Sequence, residues 1–258
     1  MMTLQLIDVS APISSAYGLQ NIGFDLIEGG VTAIIGPNGA GKTSLLRAIC
    51  GDLGISSGEI LLNGKDTHLW SVQDKALCTA VLPQHSPLDF PFSAHEVVNM
   101  GRIPHSTSAK HNTEIVEQAL ALVDCQHLAT RSYITLSGGE RQRVQLARVA
   151  AQIWEPVDIG QRCLILDEPS ASLDLAHQEM VVELFRYFTE QGVAILVVLH
   201  DLNLAAKCAT EILVLDDGKV AASGTPEQVM TEALLRDVFN TAALVQKNPL
   251  SGTPLIIT

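Results

Sequence analysis

The segment Gly36-Pro37-Asn38-Gly39-Ala40-Gly41-Lys42-Thr43 has the spacing G-x-x-x-x-G-K-[ST]. Glycines at that spacing let the backbone curl so that successive N–H groups point inward. A helix that follows adds partial positive charge at its N-terminus. Such a loop cradles phosphate oxygens, and Gly36 through Ser44 are candidate ATP-binding residues. Lys42 is placed to neutralise the β- and γ-phosphates, and the Thr43 hydroxyl to ligate Mg²⁺. The competing reading is a Gly-rich turn with a surface lysine. An apolar run before the motif, Val31–Ile35, and a helix-forming run after it, Thr43–Cys50, favour the phosphate loop. The dinucleotide spacing G-x-G-x-x-G is not met.

A second chemical signal is the apolar run Cys163-Leu164-Ile165-Leu166 closed by Asp167-Glu168. A phosphate-loop enzyme needs a carboxylate at the end of a neighbouring strand to hold Mg²⁺. Asp167 suits that role, and Glu168 could polarise the attacking water as general base. Alone, the pair could equally be two acids at an exposed strand end. A third signal is Leu136-Ser137-Gly138-Gly139-Glu140, which opens the helical run from Arg141 to Arg148. Its N–H groups would make another anion site. Ser137 with Glu140 three residues on also reads as a capping box, and the two readings are compatible.

With these three motifs in this order, the chain resembles the ATP-binding-cassette (ABC) ATPases from about Leu4 to Gly224. The resemblance implies further roles. Gln84, after the Thr79–Pro83 run, matches the family's Q-loop glutamine, catalytic and near Mg²⁺. Ser170-Ala171-Ser172-Leu173-Asp174 matches the D-loop, and His200 after Ala194–Leu199 the switch histidine. A histidine after a strand is otherwise an ordinary cap or turn residue. The family hydrolyses ATP as head-to-tail homodimers. Each ATP then lies between one copy's phosphate loop and the other copy's signature, so Leu136, Ser137, Gly138, Gly139, Glu140 and Asp174 would act in trans. The family's adenine-stacking aromatic usually sits about two dozen residues before the phosphate loop. Tyr17 lies closer to Gly36 than that, and either stacks on adenine or packs against the N-terminal strands. Gly30 also stands where the family commonly has Glu.

The elements that must position these residues are legible as alternation. Leu4–Val9, Val31–Ile35, Glu59–Leu62, Thr79–Leu82, Cys163–Leu166 and Ala194–Leu199 read as strands, with helical stretches between them. Glu211–Leu215 and Lys219–Ala222 flank Asp216-Asp217-Gly218 and read as a hairpin. The fold class expected is α/β: a P-loop core with a mostly parallel sheet, N-terminal antiparallel β strands and an inserted helical subdomain. One ABC domain is expected over 1–258. Its nucleotide-binding core would take 1–92 and 154–240, the helical subdomain 93–153, and a C-terminal tail 241–258.

The 258 residues carry a net charge of −12 and are 47% apolar. The apolar fraction excludes global disorder, and the acidic balance disfavours a nucleic-acid partner. No apolar run reaches bilayer-spanning length, and no secretory signal is visible. Five scattered cysteines read as reduced thiols. Within the family, the Q-loop stretch Gln84–Phe92, the Gln145–Trp154 segment, Leu199–Ala206 and Pro249–Pro254 resemble the ATPase subunits of bacterial haem importers. These are grouped with cobalamin and ferric-siderophore importers. The resemblance implies a peripheral subunit on the cytoplasmic face of the inner membrane. Its partners would be a transmembrane permease dimer, docked on Gln84–Phe92 and the helical subdomain, and indirectly a periplasmic haem-binding protein. Cobalamin or siderophore cargo is the alternative. A soluble cassette acting on ribosomes or DNA is a further one, disfavoured by the single cassette and the acidic charge.

Overall fold

The computed structural model describes residues 1–15, 17–84, 88–171 and 173–258. Residues 85–87 of the Q-loop stretch and Ser172 of the D-loop lie outside the described residues. The chain begins with β1 (Met2–Pro12), β2 (Gly18–Ile27), β3 (Val31–Ile35) and α1 (Lys42–Cys50). It continues with β4 (Ser57–Leu62), β5 (Lys65–Asp66), α2 (Val72–Cys78) and β6 (Thr79–Leu82). Then come α3 (Ala94–Asn99), α4 (Ala109–Leu122), α5 (Gly138–Gln152), β7 (Cys163–Asp167), α6 (Leu175–Thr189) and β8 (Ala194–Val198). The remainder is α7 (Leu202–Cys208), β9 (Glu211–Asp216), β10 (Lys219–Gly224), α8 (Pro226–Val229), α9 (Glu232–Phe239), β11 (Leu244–Lys247) and β12 (Pro254–Ile257).

The central sheet has the order β10-β9-β3-β8-β7-β6 and is parallel apart from the β9–β10 hairpin. Every residue of β3, β7 and β8 is buried, as continuous apolar runs demand when both faces are covered. The two-residue pleat sends alternate side chains into two cores. Ala33, Ile35, Leu164, Leu166, Ile195 and Val197 enter one, shared with α3 to α6. Ile34, Cys163, Ile165, Leu196 and Val198 enter the other, shared with α1 and a second, antiparallel sheet of order β2-β1-β4-β5. Register levels the strand ends: Ile34 and Asp167 both pair with Val198. The segments that follow β3, β7 and β8 therefore leave the sheet at one edge.

The stretch from α3 to α5 is helical. Ile115, Val116, Ala119 and Leu120 of α4 are buried, as their spacing demands. Serines at 93, 108 and 137 cap the three helices. Arg143 donates to the carbonyls of Val123 and Asp124 past the end of α4, and Arg102 to that of Ala151 near the end of α5. These buried guanidiniums satisfy orphan carbonyls of the helix ends. The region 241–258, read as a tail, contains the β11–β12 hairpin, and Ile256 is buried in the core. Asn203 of α7 is tied to Ile256 in both directions: its Oδ1 accepts from the backbone N–H (2.7 Å), and its Nδ2 donates to the carbonyl (3.1 Å).

Candidate active site

The phosphate loop is shaped by its glycines. A Cβ on Gly36 would fall 2.1 Å from the Leu215 carbonyl oxygen, so only glycine fits where the loop leaves β3 against β9. Gly41 sits at the N-cap of α1 with φ 100° and offers no side chain to the free N–H groups of the helix. Those donors therefore face the loop's concavity rather than a cap. The loop is braced from behind: Gly218, in the β9–β10 turn, donates its N–H to the Ala40 carbonyl at 3.1 Å.

Tyr17, Asn38, Gly39, Gly41, Lys42, Thr43, Ser44, Gln84, Glu168 and His200 line one cavity of about 510 Å³. The phosphate loop, Glu168 and His200 meet there because the strands before them end level, and Tyr17 reaches them from the segment before β2. Pro37 and Ala40 complete the loop without lining the cavity. The Lys42 ammonium is buried and donates to the carbonyls of Gly36 (2.8 Å) and Pro37 (2.9 Å). Burial lowers its pKa from the usual lysine range, and the nearby carboxylates of Glu168 and Asp167 oppose that shift. Tyr17 donates its hydroxyl to the Gly39 carbonyl at 2.7 Å, a tether that sequence spacing could not show. Burial, then the carboxylates of Asp217 and Asp216, raises its pKa.

The carboxylate pair divides its labour. Asp167 is 3% exposed, with Oδ1 lacking a hydrogen-bond partner among the described residues. Burial raises its pKa above the usual carboxylate range, partly offset by a hydrogen bond from Thr43. Asp167, Thr43 and Gln84 line a second, smaller cavity of about 270 Å³. An oxygen-rich set around an orphaned buried carboxylate oxygen is a chemical fit for Mg²⁺. Glu168 has φ 53°, the left-handed region, at a non-glycine residue that also precedes a proline. Such a conformation costs of the order of 1–3 kcal/mol and persists where the surroundings over-determine it. Here the Glu168 N–H donates to Val198 (3.2 Å), and His200 Nε2 donates to Glu168 Oε1 (2.5 Å).

Leu136, Ser137, Gly138, Gly139, Glu140 and Asp174 do not line this cavity. Ser137 and Glu140 form the capping box, with Glu140 accepting from the Ser137 N–H at 2.7 Å. That bond, then one from the Ser137 hydroxyl, lowers the Glu140 pKa. Ser137 and Gly138 are exposed at the start of α5, and a Cβ on Gly138 would meet nothing. Asp174 caps α6, accepting from the N–H of His177 at 2.9 Å. The sequence reading missed Ile13, which also lines the nucleotide cavity. It sits just past β1 with no motif to mark it.

The parallel sheet, the phosphate loop and the carboxylates level with it define a P-loop nucleotide hydrolase. The family model described as ABC transporter matches residues 19–171, and the chain belongs to the ABC transporter family. It is an ATPase that couples hydrolysis to transport. Its relatives include the hemin import ATP-binding protein of Pseudomonas entomophila, 51% identical over 240 residues, 93% of each chain. The hemin import ATP-binding protein of Myxococcus xanthus is 50% identical over 89% of this chain and 86% of that one. Among solved structures, an inward-facing metal-chelate-type ABC transporter superposes with TM-score 0.81 at 25% identity. That match covers 100% of this chain and 96% of the other. CbiO1 of Clostridium perfringens, part of the CbiONQ transporter complex, gives TM-score 0.75 at 26% identity, over 91% and 92%.

Proposed function

We propose that this chain is the motor of a bacterial haem importer, hydrolysing ATP as a homodimer beneath a transmembrane permease. The supporting observation is its likeness, at 51% identity over 93% of both chains, to a protein called a hemin import ATP-binding protein. In this reading one ABC unit spans 1–258. Residues 93–153 form the helical subdomain that faces the permease together with the Q-loop stretch. The subunit lies on the cytoplasmic face of the inner membrane. No helix among the described residues is long and apolar enough to cross a membrane. A periplasmic haem-binding protein supplies the permease.

The mechanism follows from the donors and acceptors of the site. Loop amides and the N-terminus of α1 hold the phosphates. Lys42, now spent on two loop carbonyls, turns to the anionic β- and γ-phosphates. Thr43, Asp167 and Gln84 would hold Mg²⁺, which when bound would neutralise charge developing on the phosphate oxygens. Glu168 takes the proton of the attacking water at a carboxylate oxygen, and His200 fixes that carboxylate and contacts the γ-phosphate. Tyr17 supports the adenine side of the site. Ser137 and Gly139 of the second copy close over the γ-phosphate, with Asp174 beside them.

Two measurements test this. In liposomes holding the cognate permease, a haem-loaded binding protein should stimulate ATP hydrolysis, whereas cobalamin- or siderophore-loaded proteins should not. The reverse pattern overturns the cargo assignment. Glu168→Gln should bind ATP and dimerise while turnover falls roughly a hundredfold or more. Wild-type turnover in that variant refutes the general base.

A further inference from the structure

The signature that opens α5 carries a charge conflict. In the reading above, Ser137 and Gly139 receive the γ-phosphate of the other copy's ATP, yet Glu140 stands in the same turn. Its Oε2 accepts from the Ser137 N–H at 2.7 Å, and its own N–H donates to Ser137 Oγ at 3.3 Å. The carboxylate is thus one hydrogen bond away from a residue that receives an anion. The bonds from Ser137, and after them the charge of Arg131, lower its pKa and keep it ionised at neutral pH. A negative charge suits a helix N-terminus in a lone copy, but it repels a second anion brought to the same amides. Two copies of a chain with net charge −12 must also close around an anionic nucleotide. The local balance at each signature therefore sets the electrostatic cost of closing.

Arg131 meets this conflict. Its Nη1 lies 3.6 Å from Glu140 Oε1, the oxygen not bonded to the Ser137 N–H. The neighbouring guanidiniums are committed elsewhere: Arg141 Nε donates to the Leu136 carbonyl at 2.8 Å, and Arg143 holds the end of α4. Arg131 is fixed by its backbone. Its N–H donates to the Leu128 carbonyl, and its carbonyl accepts from the Ala94 N–H at the start of α3, both at 2.9 Å. Its side chain is 50% exposed, and an ion pair so open to water adds little to stability. A cation that contributes little to the fold, held against the carboxylate of the anion-receiving turn, has its effect when the anion arrives.

We propose that Arg131 is a positioning residue of the ATP-bound dimer. It holds Glu140 against the capping turn and cancels its charge, so that the signature presents no net repulsion to the γ-phosphate on the other copy. This rests on the signature acting in trans.

The Glu168→Gln chain, which binds ATP without spending it, carries the test. Sedimentation velocity across a Mg-ATP titration gives the concentration for half-maximal dimerisation. Arg131→Met should raise that midpoint about fivefold at low salt. Arg131→Lys should raise it by less than about twofold, and the effect of Arg131→Met should fade by about 0.5 M NaCl. Binding of a fluorescent ADP to the monomer should not change, and the melting temperature should stay within about 2 °C. In the Glu140→Gln background, which keeps the capping box, Arg131→Met should move the midpoint by less than about twofold. An unchanged midpoint in Arg131→Met overturns the proposal, and so does an equal rise in the Glu140→Gln background. Ser137→Arg separates this inference from the reading beneath it. If Ser137→Arg blocks ATP-driven dimerisation, the signature acts in trans and the Arg131 result stands or falls alone. If that variant dimerises like its parent, the trans reading fails and takes this proposal with it.

Discussion

Asp167 is costly to the protein in the absence of a cation. Its carboxylate is buried, one oxygen has no partner among the described residues, and burial raises its pKa. A carboxyl group whose folded-state pKa lies above its unfolded value of about 3.9 favours the folded state only while protonated. The stability it contributes is lost as pH rises through the window between the two values. At neutral pH it opposes folding. Asp167→Asn should therefore raise the melting temperature of the nucleotide-free protein at pH 7 by about 2–4 °C while abolishing Mg²⁺-dependent hydrolysis. Calorimetry and phosphate release read the two effects, and a lower melting temperature contradicts the burial argument. The pair's place at a strand end was legible, because an apolar run that stops at two acids is a local pattern. The left-handed backbone of Glu168 and the Tyr17 tether to Gly39 were not. Each depends on a contact with a residue far away in sequence.

At the scale of the element, the strands of the central sheet were legible nearly to the residue, because burial on both faces forces unbroken apolar runs. The C-terminal hairpin was not. β11 is mostly exposed and β12 is four residues long, too little for a period to register. Its anchor is a polar side chain, Asn203, which pairs with the backbone of Ile256 as a neighbouring strand would. Asn203→Ala should cost about 1–3 kcal/mol in denaturant unfolding, since it strands a buried N–H and a carbonyl together. Hydrogen exchange at the Ile256 amide should quicken in the same variant. Unchanged exchange there would show that the hairpin is held by other contacts.

At the scale of the whole molecule, the signature residues lie outside the cavity that holds Lys42, and Ser137 and Gly138 face outward. In the proposed head-to-tail dimer, the signature of a second copy completes each site. Lys42→Ala and Ser137→Arg should each be inactive alone. Mixed and allowed to exchange, they should regain about a quarter of wild-type turnover, since half of random dimers are mixed and each holds one intact site. No recovery would mean that the two motifs serve the same copy, or that one intact site cannot turn over. The order of the central sheet bears on how the molecule is made. β3 is bonded on one side to β8 and on the other to β9, and Val31 pairs with Ile195. Until the ribosome has added those later strands, on the order of 10–30 s of synthesis, Val31–Ile35 is a water-averse ribbon with both edges bare. The newborn chain thus carries its phosphate loop long before it can use it. In that interval it is a candidate for chaperone capture and a hazard for misassociation with its siblings.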